Sequence, residues 1–189
     1  MWLPVQANGH EQCVAYSSID ITPLGFGTDS SFQNTAEYLA SLFCALGMIQ
    51  LGVSSEPTLH RGDSRTALSW VEKGTARSDS SMNAGLAWAV CVMNTDIHVV
   101  DTDHLSTIQN ARADLLSRGG TWEEVLRLDA LLFHGRLPSS TRRITFDSEP
   151  VLRLCDPRRP IHTDDLFSQL FVEALALFPR RRLSDAHPL

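Results

Sequence analysis

The chain has 189 residues, with 16 Lys and Arg against 22 Asp and Glu for a formal charge of −6; 43% are hydrophobic and 20% charged. That balance excludes wholesale disorder, and no apolar run approaches the roughly 18 residues that a membrane-spanning helix needs. Net acidity weighs against a non-specific nucleic-acid binder, which usually presents a basic surface.

The opening MWLPVQANGHEQ lacks the basic start and apolar stretch of a secretory signal, so an intracellular location, cytoplasmic or nuclear, is expected. Trp2–Val5 is a short β-type stretch in which Pro4 suits a sheet edge. Asn8-Gly9 is a hairpin turn, and Cys13–Ile21 alternates as a second strand. A Gly- and Pro-containing loop leads to a helix from about Asn34. Along it Tyr38, Leu39, Leu42, Phe43, Leu46 and Ile49 recur at helical spacing, and Gly47 and Gly52 weaken its end. Thr58–Arg61 is strand-like, and Gly62-Asp63-Ser64 turns the corner into a short helix through Ala67, Leu68 and Val71 that Gly74 stops. Met82–Met93 reads as a buried helix and Asp96–Val100 as a strand. The stretch from Asp101 to Gln109 reads as a loop, and Asn110–Arg118 as a helix that Gly119-Gly120 ends. The order β-β-α-β-α-α-β-α over residues 1–120 predicts an α/β fold with helices against a sheet.

After Gly120 the pattern changes. Thr121-Trp122-Glu123-Glu124 is a capping box that opens a helix through Val125, Leu128, Leu131 and Leu132. Pro150–Pro160 reads as an extended connector rich in Pro and Arg. Thr163 caps a last helix, with Asp164 and Asp165 in its first turn and Leu166, Phe167, Leu170, Phe171, Leu175 and Phe178 on its buried side. Residues 121–189 are expected to form a helical extension outside the sheet. Cys13, Cys44, Cys91 and Cys155 make no CxxC pair and lie among apolar neighbours, which predicts core residues in place of a zinc site or disulfide framework.

Three carboxylates occupy places where strand ends and helix starts can meet. Glu37 lies early in the first long helix, Asp63 follows a strand tip, and Asp114 stands near the start of the helix after the last strand. Converging carboxylates suit Mg²⁺, a hard ion that takes oxygen ligands and keeps several waters. Two such ions roughly 3.5–4 Å apart stabilise both the attacking and the leaving oxygen of a phosphodiester displacement. The pattern leaves a second reading open for each residue. Asn34-x-x-Glu37 is also a capping box, and Asp63 can cap the following helix. Asp114 can be a solvated helix charge, and His104 an ordinary loop histidine.

Three segments in order carry a resemblance. HLSTIQNARADLLSR (His104–Arg118) resembles the end of the ribonuclease H domain of retrotransposon reverse transcriptases of the gypsy or DIRS kind. That pattern reads H-I-P-G-x-x-N-x-x-A-D-x-L-S-R, with His104, Asn110, Asp114 and Leu116-Ser117-Arg118 in register. GDSRTALSWVEKG (Gly62–Gly74) is similar to the family's D-N-x-x-A-L-x-W-x-x-K-G, through Asp63, Ala67, Leu68, Trp70, Lys73 and Gly74. NTAEYLA (Asn34–Ala40) resembles the helix that carries the family's glutamate.

The resemblance implies a ribonuclease H-like α/β fold, a five-stranded mixed sheet flanked by helices, over residues 1–120. It also implies a two-Mg²⁺, four-carboxylate site that cuts the RNA strand of an RNA–DNA hybrid. Glu37, Asp63 and Asp114 match the second, third and fourth carboxylates and would be the metal ligands; His104 matches the histidine near the catalytic site. Lys73, Arg112 and Arg118 are candidates to grip the nucleic acid, and the polymerase domain of a complete element would be the protein partner. Ser64 stands where asparagine is commoner, and Leu105-Ser106-Thr107 replaces I-P-G. The strand that bears the family's first carboxylate has no counterpart before Trp2. Asp20 and Asp29 are poor substitutes, so the domain reads as truncated at its start, with its hybrid-cleaving activity impaired and one Mg²⁺ expected in place of two. The alternative is a non-catalytic remnant of the fold that binds nucleic acid or protein.

Overall fold

The computed structural model describes residues 2–7, 10–26, 30–51, 57–76, 78–135, 142–145, 147–159 and 164–178. The strands β1 (Trp2–Ala7) and β2 (His10–Tyr16) pair antiparallel, with Ala7 opposite His10 and Trp2 opposite Tyr16. Their register slips between Leu3 and Pro4, where proline has no N–H to give to the ladder. The expected turn at Asn8-Gly9 lies outside the described residues. β2 ends at Tyr16, short of the expected Ile21, and a single 3-10 turn follows at Thr22–Leu24.

Helix α1 (Ser30–Leu51) begins a turn earlier than Asn34 and passes through Gly47 without a break. Tyr38, Leu39, Leu42 and Phe43 are buried along it, and that burial outweighs the cost of about 1 kcal/mol for a glycine inside a helix. The next elements are β3 (Pro57–Gly62), α2 (Arg65–Lys73), α3 (Asp79–Asn94) and β4 (His98–His104). β3 and β4 pair in parallel, Pro57 opposite His98 and Gly62 opposite His104. The strand therefore runs through Asp101–His104, which the sequence reading assigned to a loop, because those residues pair with Leu59–Gly62. Helix α4 (Thr107–Ser117) starts three residues before the expected Asn110. Ser106 and Gln109 close a reciprocal capping box there: the Gln109 N–H donates to Ser106 Oγ at 3.4 Å, and the Ser106 N–H to Gln109 Oε1 at 2.9 Å.

Helix α5 (Trp122–Phe133) opens on the capping box visible in the sequence, with the Glu124 N–H donating to Thr121 Oγ1 at 3.2 Å. A two-residue strand, β5 (Arg142–Arg143), then pairs parallel with Ala15 and Tyr16 of β2. The extension is thus not wholly outside the sheet, although its strand is an edge one. Helix α6 (Glu149–Leu154) replaces the extended connector expected at Pro150–Pro160. Pro150 sits in its first turn, where the missing N–H has no helical acceptor to lose. Helix α7 (Asp164–Leu177) closes the described chain; its expected cap, Thr163, lies outside the described residues.

The architecture is mixed α/β. Among the described residues β1, β2 and β5 make one sheet and β3 and β4 another, with no described strand between them, so the single five-stranded sheet that the resemblance implies is not seen there. One large core draws on α1, α2, α3, α6 and α7, including Leu39, Ala87, Leu154, Leu170 and Phe178. Tyr38 sits edge-on to Trp70, ring centroids 5.6 Å apart, and packs against Trp88. Cys91 and Cys155 are fully buried here, as expected, and Cys44 is half-buried; the Cys13 side chain lies outside the described residues. Asn83 Nδ2 donates to the carbonyls of Asp156 and Arg159, and Asn94 Nδ2 to that of Phe178. Those bonds tie α3 to the chain after α6 and to the end of α7. The core therefore crosses the division expected at residue 120. A smaller cluster joins Leu116 of α4 to Val125 of α5, flanked by the stacked rings of Tyr16 and Trp122.

Candidate functional site

A cavity of about 890 Å³ opens between α1, β3, the chain just after β2, and α4. Glu37, Asp63 and Asp114 all line it. A recess of about 270 Å³ beside it is lined by Glu37, Asp63, Asn34 and Ser64. The local structure removes two of the simpler readings. Because α1 begins at Ser30, Asn34 cannot be its N-cap, and Glu37 is not part of a capping box. Asn34 Oδ1 instead accepts from Ser64 Oγ at 2.9 Å. The cap of α2 is Ser64, whose Oγ accepts the Ala67 N–H at 3.1 Å. Asp63, just before it, is left without a capping role.

One hydroxyl therefore joins α1 to the β3–α2 corner and brings Asp63 beside Glu37. His104, the last residue of β4, holds the same corner from the other side. Its Nε2 lies 3.1 Å from the Asp63 carbonyl oxygen. Because a carbonyl can only accept, that nitrogen carries the proton. His104 is exposed and does not line the cavity; its contact positions the Asp63 backbone.

Glu37 senses the other two carboxylates. Burial pushes the Glu37 carboxyl up to about 7, and the negative charges of Asp63 and Asp114 push it in the same direction. Asp114 lies in the C-terminal half of α4, not near its start, and Arg118 Nε pairs with it at 3.1 Å. Among the described residues no three His, Cys, Asp or Glu side chains are grouped closely enough to hold a metal ion.

Two pairs in the cavity wall escaped the sequence reading. His60 Nε2 lies 2.8 Å from Ser41 Oγ, and Ser41 Oγ donates to the Glu37 carbonyl at 3.3 Å. Burial holds His60 down at about 4, so it is neutral at pH 7. The second pair is buried: Arg112 of α4 binds the Asp129 carboxylate of α5 and stacks on the Phe133 ring at 3.9 Å. Arg112 is thus committed within the protein, which removes it from the residues expected to grip nucleic acid. Arg118 and Lys73 stay exposed. No helix of the described residues is long and apolar enough to cross a membrane. Comparison with protein-family models, with curated proteins and with solved structures finds no match.

Proposed function

We propose that the chain is a ribonuclease H-like domain of retroelement origin, a weak Mg²⁺-dependent endonuclease for the RNA strand of RNA–DNA hybrids. One observation carries the reading: Glu37, Asp63 and Asp114, drawn from three sequence motifs, line one cavity, and Glu37 is pushed up partly by the charge of the other two. The donor chemistry suits the ion, being all oxygen with excess negative charge, and Asp63 has no capping duty. Glu37, Asp63 and Asp114 are not grouped closely enough to hold it as they stand, so they would take Mg²⁺ only by drawing together, with Arg118 released from Asp114. If held there, Mg²⁺ would supply positive charge against the phosphate and would make water a stronger nucleophile. The chain's own part is positioning: His104 and Ser64 hold the Asp63 corner, and Glu37 can retain or release a proton near neutrality. In a complete element, a polymerase domain is the proposed protein partner.

A second reading, a non-catalytic remnant that binds nucleic acid or protein, is favoured by a different observation. The three carboxylates do not close into a metal-holding group among the described residues, and Asp114 is engaged by Arg118. A hybrid carrying 5′-labelled RNA, incubated with the 189-residue chain and Mg²⁺, separates the two. Slow cleavage that stops with EDTA and with Asp63→Asn is the expected result. Hybrid binding without cleavage at any Mg²⁺ or Mn²⁺ concentration would leave the remnant reading standing.

A further inference from the structure

Helix α3 lacks the polar side that a surface helix usually carries. From Ser80 to Asn94 it holds no charged residue. Its inward side packs into the large core through Ala87 and Trp88. Its outward side is apolar as well. Met82, Leu86, Ala89 and Met93 follow one another at steps of four, three and four residues, which places them on one stripe. Met82 is 39% exposed and Met93 67%, with Leu86 and Ala89 half-buried between them. A helix that is apolar all round is normally covered on every side. Helix α7 packs alongside α3 with the two C-terminal ends together, and it leaves Val172 and Leu175 exposed in turn.

We propose that this face joins two copies of the chain, their α3 helices packed antiparallel about a two-fold axis that passes between Leu86 and Ala89. The stripe is complementary to its own reverse. Antiparallel pairing sets Leu86 of one copy against Ala89 of the other, large against small, and Met82 against Met93. Each contact then occurs twice, as a two-fold interface requires. Parallel pairing would set Leu86 against Leu86 and Ala89 against Ala89, crowded at one level and hollow at the next. Charge also selects the occupant. Two chains of formal charge −6 repel each other as wholes, so they meet where neither presents a charge, and α3 supplies that surface. Methionine suits such a contact, because its flexible side chain adapts to the surface it meets. The helix has 16 residues and is about 24 Å long. Two such helices, flanked by α7 of each copy, cover on the order of 1,000 Å² in total, the lower end for a specific interface. The dimer is therefore a weak one. The inference stands apart from the nuclease reading, since it uses neither the carboxylates nor a metal.

Sedimentation velocity of the 189-residue chain in EDTA, from about 2 to about 200 µM, tests it. A reversible monomer–dimer equilibrium with its midpoint in that range is expected. Met82→Glu and Met93→Lys each set a charge against a methionine of the other copy, and each should weaken the dimer at least about tenfold. Mixed in equal amounts they should restore it, because the two new charges then face each other while the second contact keeps its pair of methionines. An acid near the start of α3 and a base near its end suit the helix dipole, so far-UV circular dichroism should be unchanged. If either variant misfolds, oxidation of Met93 by dilute peroxide in the unaltered chain decides, and it should be slower at the high concentration than at the low one. A parent that stays monomeric throughout, single variants that dimerise as the parent does, a mixture no better than its components, or a Met93 oxidation rate independent of concentration would overturn the proposal. Because EDTA is present, none of these outcomes depends on whether the chain cuts nucleic acid.

Discussion

Glu37 is a carboxyl in a half-buried place beside two others, and its proton affinity follows from that. Its value rises from 4.5 to about 7, so the folded state holds the proton more tightly than the unfolded chain does. This contribution to stability is complete below about pH 4.5 and is lost as pH rises toward 7. His60 acts in the opposite sense: held at about 4 against 6.5, it costs stability as pH falls from 6.5 toward 4. The difference between the unaltered chain and Glu37→Gln isolates the first effect. Urea unfolding at pH 4.5, 5.5, 6.5 and 7.5 should show the variant gaining on the parent as pH rises; parallel curves would remove the raised value. Carbon-detected NMR should place the Glu37 titration near pH 7, and Asp63→Asn should lower it. Mg²⁺ at millimolar levels should also lower it if the carboxylates take the ion. At this scale the three carboxylates were legible because each sits in a segment with a recognisable spacing. Their surroundings were not. Ser41 meets His60 across 19 residues, and Arg112 meets Asp129 across 17; no local pattern announces such pairs.

Elements were easier to place than their ends. The helical spacing of Tyr38, Leu39, Leu42 and Phe43 located α1, and the Thr121–Glu124 box located the start of α5. β4 was read too short because Asp101, Thr102 and Asp103 look like loop residues, and only pairing with β3 makes them a strand. The proline-rich segment concealed α6 because Pro150 stands in its first turn, the one part of a helix that tolerates it. How α4 and α5 join was equally hidden. The Arg112–Asp129 pair lies between them with both side chains nearly excluded from solvent. Truncating one member takes a charge partner from the other in a buried place, so Asp129→Ala should cost on the order of 3–5 kcal/mol in urea unfolding. Thr121→Ala, which loses only an exposed cap, should cost about 1 kcal/mol. If the two variants prove equally mild, the buried pair does not hold α5 in place.

On the scale of the whole molecule, the change of composition after Gly120 looked like a boundary, yet the core ignores it. Leu170, Ala174 and Phe178 of the last turns pack with Leu39, Ala87 and Val90 from far upstream. A chain ending at residue 120 should therefore lack a cooperative thermal transition and bind a hydrophobic dye. Phe178→Ala in the full chain should cost roughly 3–5 kcal/mol, the usual loss for a buried phenylalanine. A cooperative melt of the shortened chain would show that residues 1–120 are self-sufficient. The bond from Asn94 Nδ2 to the Phe178 carbonyl bears on how the protein is made. A ribosome adds about 5–20 residues each second, so α3 emerges several seconds before the helix that covers it. During that interval the buried faces of α1 and α3 lie bare to whatever else is being synthesised nearby. The nascent chain is then a natural client for chaperones, and slowed translation downstream of α3 should lower its soluble yield more than slowed translation upstream.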